Sequence, residues 1–198
     1  MRCWAVAVFI CAGATLAEAQ VAEISVSGGV SRFGAANLGT IADAAGNLTN
    51  VTLDNGFRLA ARLTLNTYKF MGHEFGYAYS HSNIRIQSTP ASVSPMPVHQ
   101  GFYDFLIYAT PEGSHIRPFA TGGVHFSSFV PPGASVYYGN QVTKFGLNYG
   151  GGLKLKITDV IGLRFDVREY NTGKPFKLTG TSGRLNQLEV SVGAAFLL

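Results

Sequence analysis

Cysteine is almost absent from this chain. Its two cysteines, Cys3 and Cys11, fall within the first 19 residues. Arg2, the short apolar run from Cys3 to Leu16 and the small residues Ala17 and Ala19 around Glu18 have the form of a secretory signal peptide cut before Gln20. Residues 1–19 are therefore expected to be a signal peptide and residues 20–198 a single domain. That domain holds no cysteine, which excludes a disulfide framework and a thiolate metal site. After residue 19 no apolar stretch approaches the roughly 18 residues of a membrane-spanning helix, and no segment keeps a 3.6-residue period, so helix of any kind is excluded as the main element. Charge is scarce as well, at 13% of residues against about 25% in soluble domains. The net charge of +4 is spread thinly with no recognition motif, which argues against nucleic-acid binding. Among the histidines, His73, His99 and His115 have no partner at metal-ligand spacing, so no cofactor is expected.

What is present is glycine, 24 residues of it, and alternation. "GLRFDVREY", residues 162–170, places Leu163, Phe165 and Val167 on one side of an extended chain and Arg164, Asp166 and Arg168 on the other. Eight such segments run along the chain: Glu23–Arg32, Phe57–Asn66, His73–Ile84, Gly101–Ala109, Ile116–Phe126, Lys144–Lys156, Val160–Tyr170 and Gln187–Leu198. A tilted strand of about 9–11 residues crosses a bilayer. The linkers alternate between long stretches and tight ones such as Ile157-Thr158-Asp159, the layout of an up-and-down sheet with its turns at one end and its loops at the other. The predicted fold is all-β, an eight-stranded antiparallel up-and-down transmembrane β-barrel.

The order and spacing of "RPFATGGVHF", "YGGGLKLKI" and "GLRFDVREY" resemble those of the eight-stranded outer-membrane β-barrel family, which includes the transmembrane domain of outer membrane protein A and related small Gram-negative barrels. The resemblance implies residence in the cell outer membrane, with outer-membrane lipid and lipopolysaccharide as surroundings. Such barrels often end on an aromatic residue, whereas this chain ends Phe196-Leu197-Leu198.

Small residues on the apolar face, such as Gly28 and Ala61, suit fluid lipid better than a packed core. The apolar faces are therefore expected to point outward. Tyr68 and Phe70 at a short turn, and Tyr137, Tyr138 and Tyr170 near long loops, are expected to form two interfacial girdles. The polar faces then point inward, carrying Arg58, Arg62, Lys154, Lys156, Arg164 and Arg168 against Glu23, Glu74, Asp104, Asp166 and Glu189. Six cations against five anions predict a paired ionic network that plugs the narrow lumen.

Some small outer-membrane barrels edit lipid A. The lipid A deacylases, which strands five to eight resemble, carry a late His-x-Ser where this chain reads Arg168-Glu169-Tyr170-Asn171. The one His-x-Ser with both side chains on one face is His125-Phe126-Ser127, with no acid identified as a third member. The expectation is a non-enzymatic structural or adhesive barrel that meets an extracellular ligand or a host or surface partner through its long loops, with Tyr137 and Tyr138 as contact candidates. A narrow transport pore is the alternative, and a lipid A-modifying enzyme the third reading.

Overall fold

The structure, a computed structural model, describes residues 21–34, 36–43, 46–88 and 90–198. The expected signal peptide lies outside these residues. Alternation sustained over 11 to 15 residues forms eight long strands: β1 (Val21–Gly34), β4 (Gly56–Tyr68), β5 (Met71–His81), β8 (Val98–Tyr108), β9 (Ile116–Phe129), β10 (Val142–Lys156), β11 (Ile161–Gly173) and β12 (Arg184–Leu197). They close in the order β1-β12-β11-β10-β9-β8-β5-β4, and β4 pairs back onto β1, so no edge is left open. Every pairing is antiparallel.

Closure fixes which face is which. Leu163, Phe165 and Val167 are 39%, 41% and 52% exposed, whereas Arg164, Asp166 and Arg168 are buried inside. The same inversion holds around the ring, with Ile24, Val26, Leu59, Val124 and Val192 outside and Glu23, Ser25, Arg58, His125 and Ser191 inside. A perimeter of this kind is stable only against hydrocarbon, because the hydrophobic effect would bury it in water. Among the described residues no helix is long and apolar enough to cross a membrane; the strands make the crossing.

The long-loop end holds a second element that the alternation does not announce. Four short strands, β2 (Asn37–Ala42), β3 (Leu48–Leu53), β6 (Asn83–Ile86) and β7 (Ser92–Pro95), form a separate sheet in the order β2-β3-β6-β7. The first two loops each fold into a hairpin, and the hairpins join through β3 and β6, where Val51 meets Ile86 and Leu53 meets Ile84. The predicted third segment, drawn to Ile84, is thus divided: β5 stops at His81 and Ile84 belongs to this cap.

Beneath the cap, the upper ends of four barrel strands turn Phe33, Val98, Phe129 and Leu185 inward, where they pack with Leu38, Val51, Leu53 and Met96 in one buried cluster. The fourth loop straps the sheet down. Thr40 N–H donates to the Thr179 carbonyl (2.9 Å), the Thr181 hydroxyl to the Leu38 carbonyl (2.7 Å), and Lys174 Nζ to the Asn37 carbonyl (2.5 Å). Gly39 is required at this junction: its φ is +125°, and a Cβ there would lie 2.6 Å from Leu178 Cβ.

Candidate functional site: a sealed lumen beneath a cap

Parity along each strand delivers the inward side chains in layers. At the short-turn end Lys154 Nζ donates to Glu23 (2.8 Å) and to the Tyr108 hydroxyl (3.1 Å). Arg117 lies with its guanidinium carbon 3.7 Å from the centre of the Tyr108 ring. The middle layer is ionic. Arg164 holds Asp166 through two bonds of 2.8 and 3.0 Å and reaches Glu74 at 2.6 Å. Arg168 donates to Glu74 (2.7 Å), to Asp166 (2.8 Å) and to Asp104. Arg62 and Arg58 meet on Glu189, at 2.5 and 2.9 Å. Above lies a neutral layer in which Gln100 donates to Ser127 (2.8 Å) and Gln187 (2.9 Å), while Gln187 donates to Ser31 (2.6 Å) and Ser80 (3.2 Å).

The structure brings all nine sequence-selected lumen residues, Arg58, Arg62, Glu74, Asp104, Lys154, Arg164, Asp166, Arg168 and Glu189, into the interior with Glu23, linked through shared partners. Removing five guanidinium or ammonium groups from water is costly unless anions and hydrogen bonds surround them. Here carboxylates supply one side and aromatic faces the other: Arg58 lies over Tyr170 at 4.6 Å, Arg164 over Phe119 at 5.1 Å and Arg168 over Phe102 at 5.6 Å. Phe102 fits because the residue facing it across the lumen wall is Gly76; a Cβ there would overlap the ring.

Two expectations are corrected. Tyr170 is not a girdle residue: it shares the parity of Arg164 and Arg168, is wholly buried, and donates its hydroxyl to Glu189 at 3.0 Å. Lys156 does not enter the network; it stands at the rim and pairs with exposed Asp159 at 2.7 Å. The sixth interior cation is Arg117 instead, which alternation along β9 places inward with Phe119 and Thr121. The aromatic lining of the lumen also escaped the sequence reading, although parity along β8 puts Phe102 and Tyr108 on the same face as Asp104.

His125 and Ser127 both point inward but are not brought together. His125 Nε2 pairs with the Thr172 hydroxyl at 2.5 Å, whereas Ser127 accepts from Gln100. Tyr138 lies in a 3-10 turn, Val136–Tyr138, and is 83% exposed; the Tyr137 side chain lies outside what is described. A cavity of about 270 Å³ opens at the short-turn end, lined in part by Glu23, Asn66, Glu112, Arg117, Lys154 and Lys156. No group of three or more His, Cys, Asp or Glu among the described residues could hold a metal ion.

A closed sheet with a hydrocarbon-facing exterior and an ionic interior defines an integral membrane β-barrel. The family described as outer membrane protein beta-barrel domain matches residues 3–196, and the chain belongs to it; its place is the cell outer membrane. Three solved structures of similar fold are outer membrane protein AlkL in lipid bilayers (14% identity, 90% of each chain, TM-score 0.61), Neisserial surface protein A (11%, 88% of this chain and 96% of that one, 0.58), and the N-terminal barrel domain of OprF from Pseudomonas aeruginosa (12%, 90% and 98%, 0.54). Among curated proteins no sequence matches this chain. In this family's orientation the short turns face the periplasm and the cap faces outward.

Proposed function

We propose that this protein is a non-enzymatic structural and interaction barrel, which presents its cap and loops to the cell exterior and conducts nothing through its lumen. The observation that carries the reading is a double seal in series: a buried ionic plug, then an apolar cluster under a strapped four-stranded cap. Either alone blocks a channel only just wide enough for side chains. Together they leave the folded outer surface as the part able to meet a partner. A rigid scaffold bearing ordered loops suits recognition, and exposed Tyr138, Val136 and Leu48 on those loops offer apolar contact area.

Three measurements test the reading. In a planar bilayer the wild-type barrel gives no unitary conductance, and replacing the cap hairpins by tight turns still gives none, because the ionic plug remains. Discrete steps from the wild-type protein would instead establish a narrow pore. Cells displaying the cap-replaced barrel lose the attachment shown by cells displaying the intact one, and equal attachment would remove the interaction role. Ser127→Ala leaves lipid A composition unchanged; a changed composition would make the barrel an enzyme.

A further inference from the structure

Inside the barrel almost every cation has a carboxylate. Arg58 and Arg62 meet Glu189, Arg164 meets Asp166 and Glu74, Arg168 meets Asp104, and Lys154 meets Glu23. Arg117 is the exception. It is only 8% exposed, and none of the ion pairs among the described residues includes it. Its guanidinium carbon lies 3.7 Å from the centre of the Tyr108 ring, one N–H reaches the Lys69 carbonyl at a long 3.4 Å, and its buried Nε has no hydrogen-bond partner. An aromatic face and a distant carbonyl orient a guanidinium without neutralising it, and a guanidinium does not give up its proton. The buried charge is left to be met from outside the chain.

The cavity of about 270 Å³ at the short-turn end brings the complementary chemistry to this group. Its polar lining includes Arg117 of β9, Asn66 of β4, Glu23 of β1 and Glu112 in the turn between β8 and β9. Two buried oxygens in that lining also lack a partner. Asn66 Oδ1 accepts no hydrogen bond, although Asn66 Nδ2 donates to Glu112 at 3.3 Å. Glu23 Oε1 accepts none either, although Arg164 lies 3.6 Å away and Lys154 holds the other oxygen at 2.8 Å. Buried polar atoms are rarely left so, and three of them, one cationic donor and two acceptors, line one cavity. The rest of the wall is largely apolar. Ala195, 2% exposed, and Leu197 lie on the inward phase of β12, and Ala195 pairs with Gly162, where no side chain fills the space.

We propose that the periplasmic mouth is a binding site for a small zwitterion, an α-amino acid with an apolar side chain. The ligand carboxylate takes the Arg117 guanidinium, the ammonium donates to Asn66 Oδ1 and Glu23 Oε1, and the side chain rests on Ala195 and Leu197. A simple anion would leave both oxygens unmet, and a simple amine would leave Arg117 unmet; one molecule with both ends answers all three. The volume sets the size. Drug-sized ligands occupy about 300–1,000 Å³, so a cavity of about 270 Å³ suits a single amino acid rather than a longer peptide. The site lies at the end of the barrel opposite the cap and requires no open lumen, so it goes beyond the interaction role proposed above.

The test uses the full barrel refolded in nanodiscs of neutral lipid, with folding checked by heat-modifiable gel mobility. Radiolabelled L-leucine is bound by equilibrium dialysis and competed with N-acetyl-L-leucine, which lacks the ammonium, and with L-leucinamide, which lacks the carboxylate. Each derivative is weaker than leucine by at least about tenfold, as expected when one charge-assisted contact is lost. Arg117→Met removes the guanidinium and breaks only the long bond to the Lys69 carbonyl. It therefore folds as wild type does, with a thermal midpoint in the absence of leucine that is unchanged or higher, because an unneutralised buried charge is gone. Its affinity for leucine falls by at least about tenfold. Asn66→Ala keeps Arg117, gives up only the bond to Glu112, and also weakens leucine binding. Leucine binding that depends on both charged ends of the ligand and on both residues supports the site. Wild-type protein that binds no leucine, either derivative competing as well as leucine itself, or a folded Arg117→Met barrel that binds leucine as tightly as wild type overturns it. Attachment through the cap is a separate readout at the other end of the molecule, so failure of this site and failure of the interaction role are told apart.

Discussion

Replacing Glu74 by glutamine keeps the size of the side chain and removes one negative charge from the centre of the lumen. The Glu74 carboxylate is fully buried; one oxygen accepts from Arg168 (2.7 Å) and lies 3.6 Å from Arg62 Nε, and the other accepts from the Thr64 hydroxyl (2.9 Å) and meets Arg164 at 2.6 Å. Glutamine offers one carbonyl oxygen, and its amide N–H groups face a guanidinium that can only donate. Two charge-assisted bonds are weakened or lost, at about 1.5–3 kcal/mol each. The independent estimate for breaking a buried pair by removing one partner is about 3–5 kcal/mol, so the two agree near 4. With a urea slope of about 1–3 kcal/mol per molar, the unfolding midpoint falls by roughly 1–4 M. Removing both charges with apolar groups of similar volume, as Glu74→Met with Arg164→Met, costs less than the sum of the single changes, because no unpaired ion is left behind. The chain's one tryptophan, Trp4, lies outside the described barrel, so unfolding in lipid vesicles is followed by far-UV circular dichroism and by heat-modifiable mobility. A midpoint shift below about 0.5 M for Glu74→Gln, against the slope just used, or a double variant whose cost equals the sum of its parts, would refute the view that the plug is held by mutual charge compensation.

Three further outcomes follow from other parts of the molecule. Gly76→Val forces a Cβ into the Phe102 ring, so folding yield drops sharply by gel mobility, and Phe102→Ala in the same chain restores it; a Gly76→Val barrel that folds as well as wild type would show that the ring has free space. Thr181→Val removes the hydroxyl that reaches the Leu38 carbonyl, loosening the strap, and amide exchange in β2 and β3 accelerates while exchange in the barrel strands does not; unchanged exchange in the cap would mean that the apolar cluster alone holds it. On the periplasmic turn the Lys156 ammonium, by hydrogen bond and charge, holds the Asp159 carboxyl below its ordinary value of 3.8. A group depressed in the folded state adds stability above its unfolded value and loses it as pH falls through the folded one, so the contribution is present at neutral pH and fades only in strong acid. The Asp159 carboxyl titrates below 3.8 by NMR and moves up toward 3.8 in Lys156→Met; a midpoint at or above 3.8 in the wild type would dissolve the pair.

The barrel was legible because its signal is local and repeats. An inward and an outward residue alternate over 11 to 15 positions per strand, and a slip of one position would turn Arg164, Asp166 and Arg168 into lipid, so the pattern is under strong physical constraint. Parity, followed to its end, also holds what was misjudged. Tyr170 and Arg117 sit on the inward phase of β11 and β9; for Tyr170, proximity to a loop was weighed above phase, and Arg117 was left out of the inward set although its phase places it there. Lys156 shows the opposite error: its phase is inward, but the lumen ends before its ammonium does, and water with Asp159 is the better partner. The cap had no such signal. Its strands are only four to six residues long, too short for alternation to rise above chance, and the pairing that unites them joins Leu53 to Ile84 across an entire barrel hairpin. A contact of that kind is created only once β4 and β5 have folded and brought two loops to the same mouth.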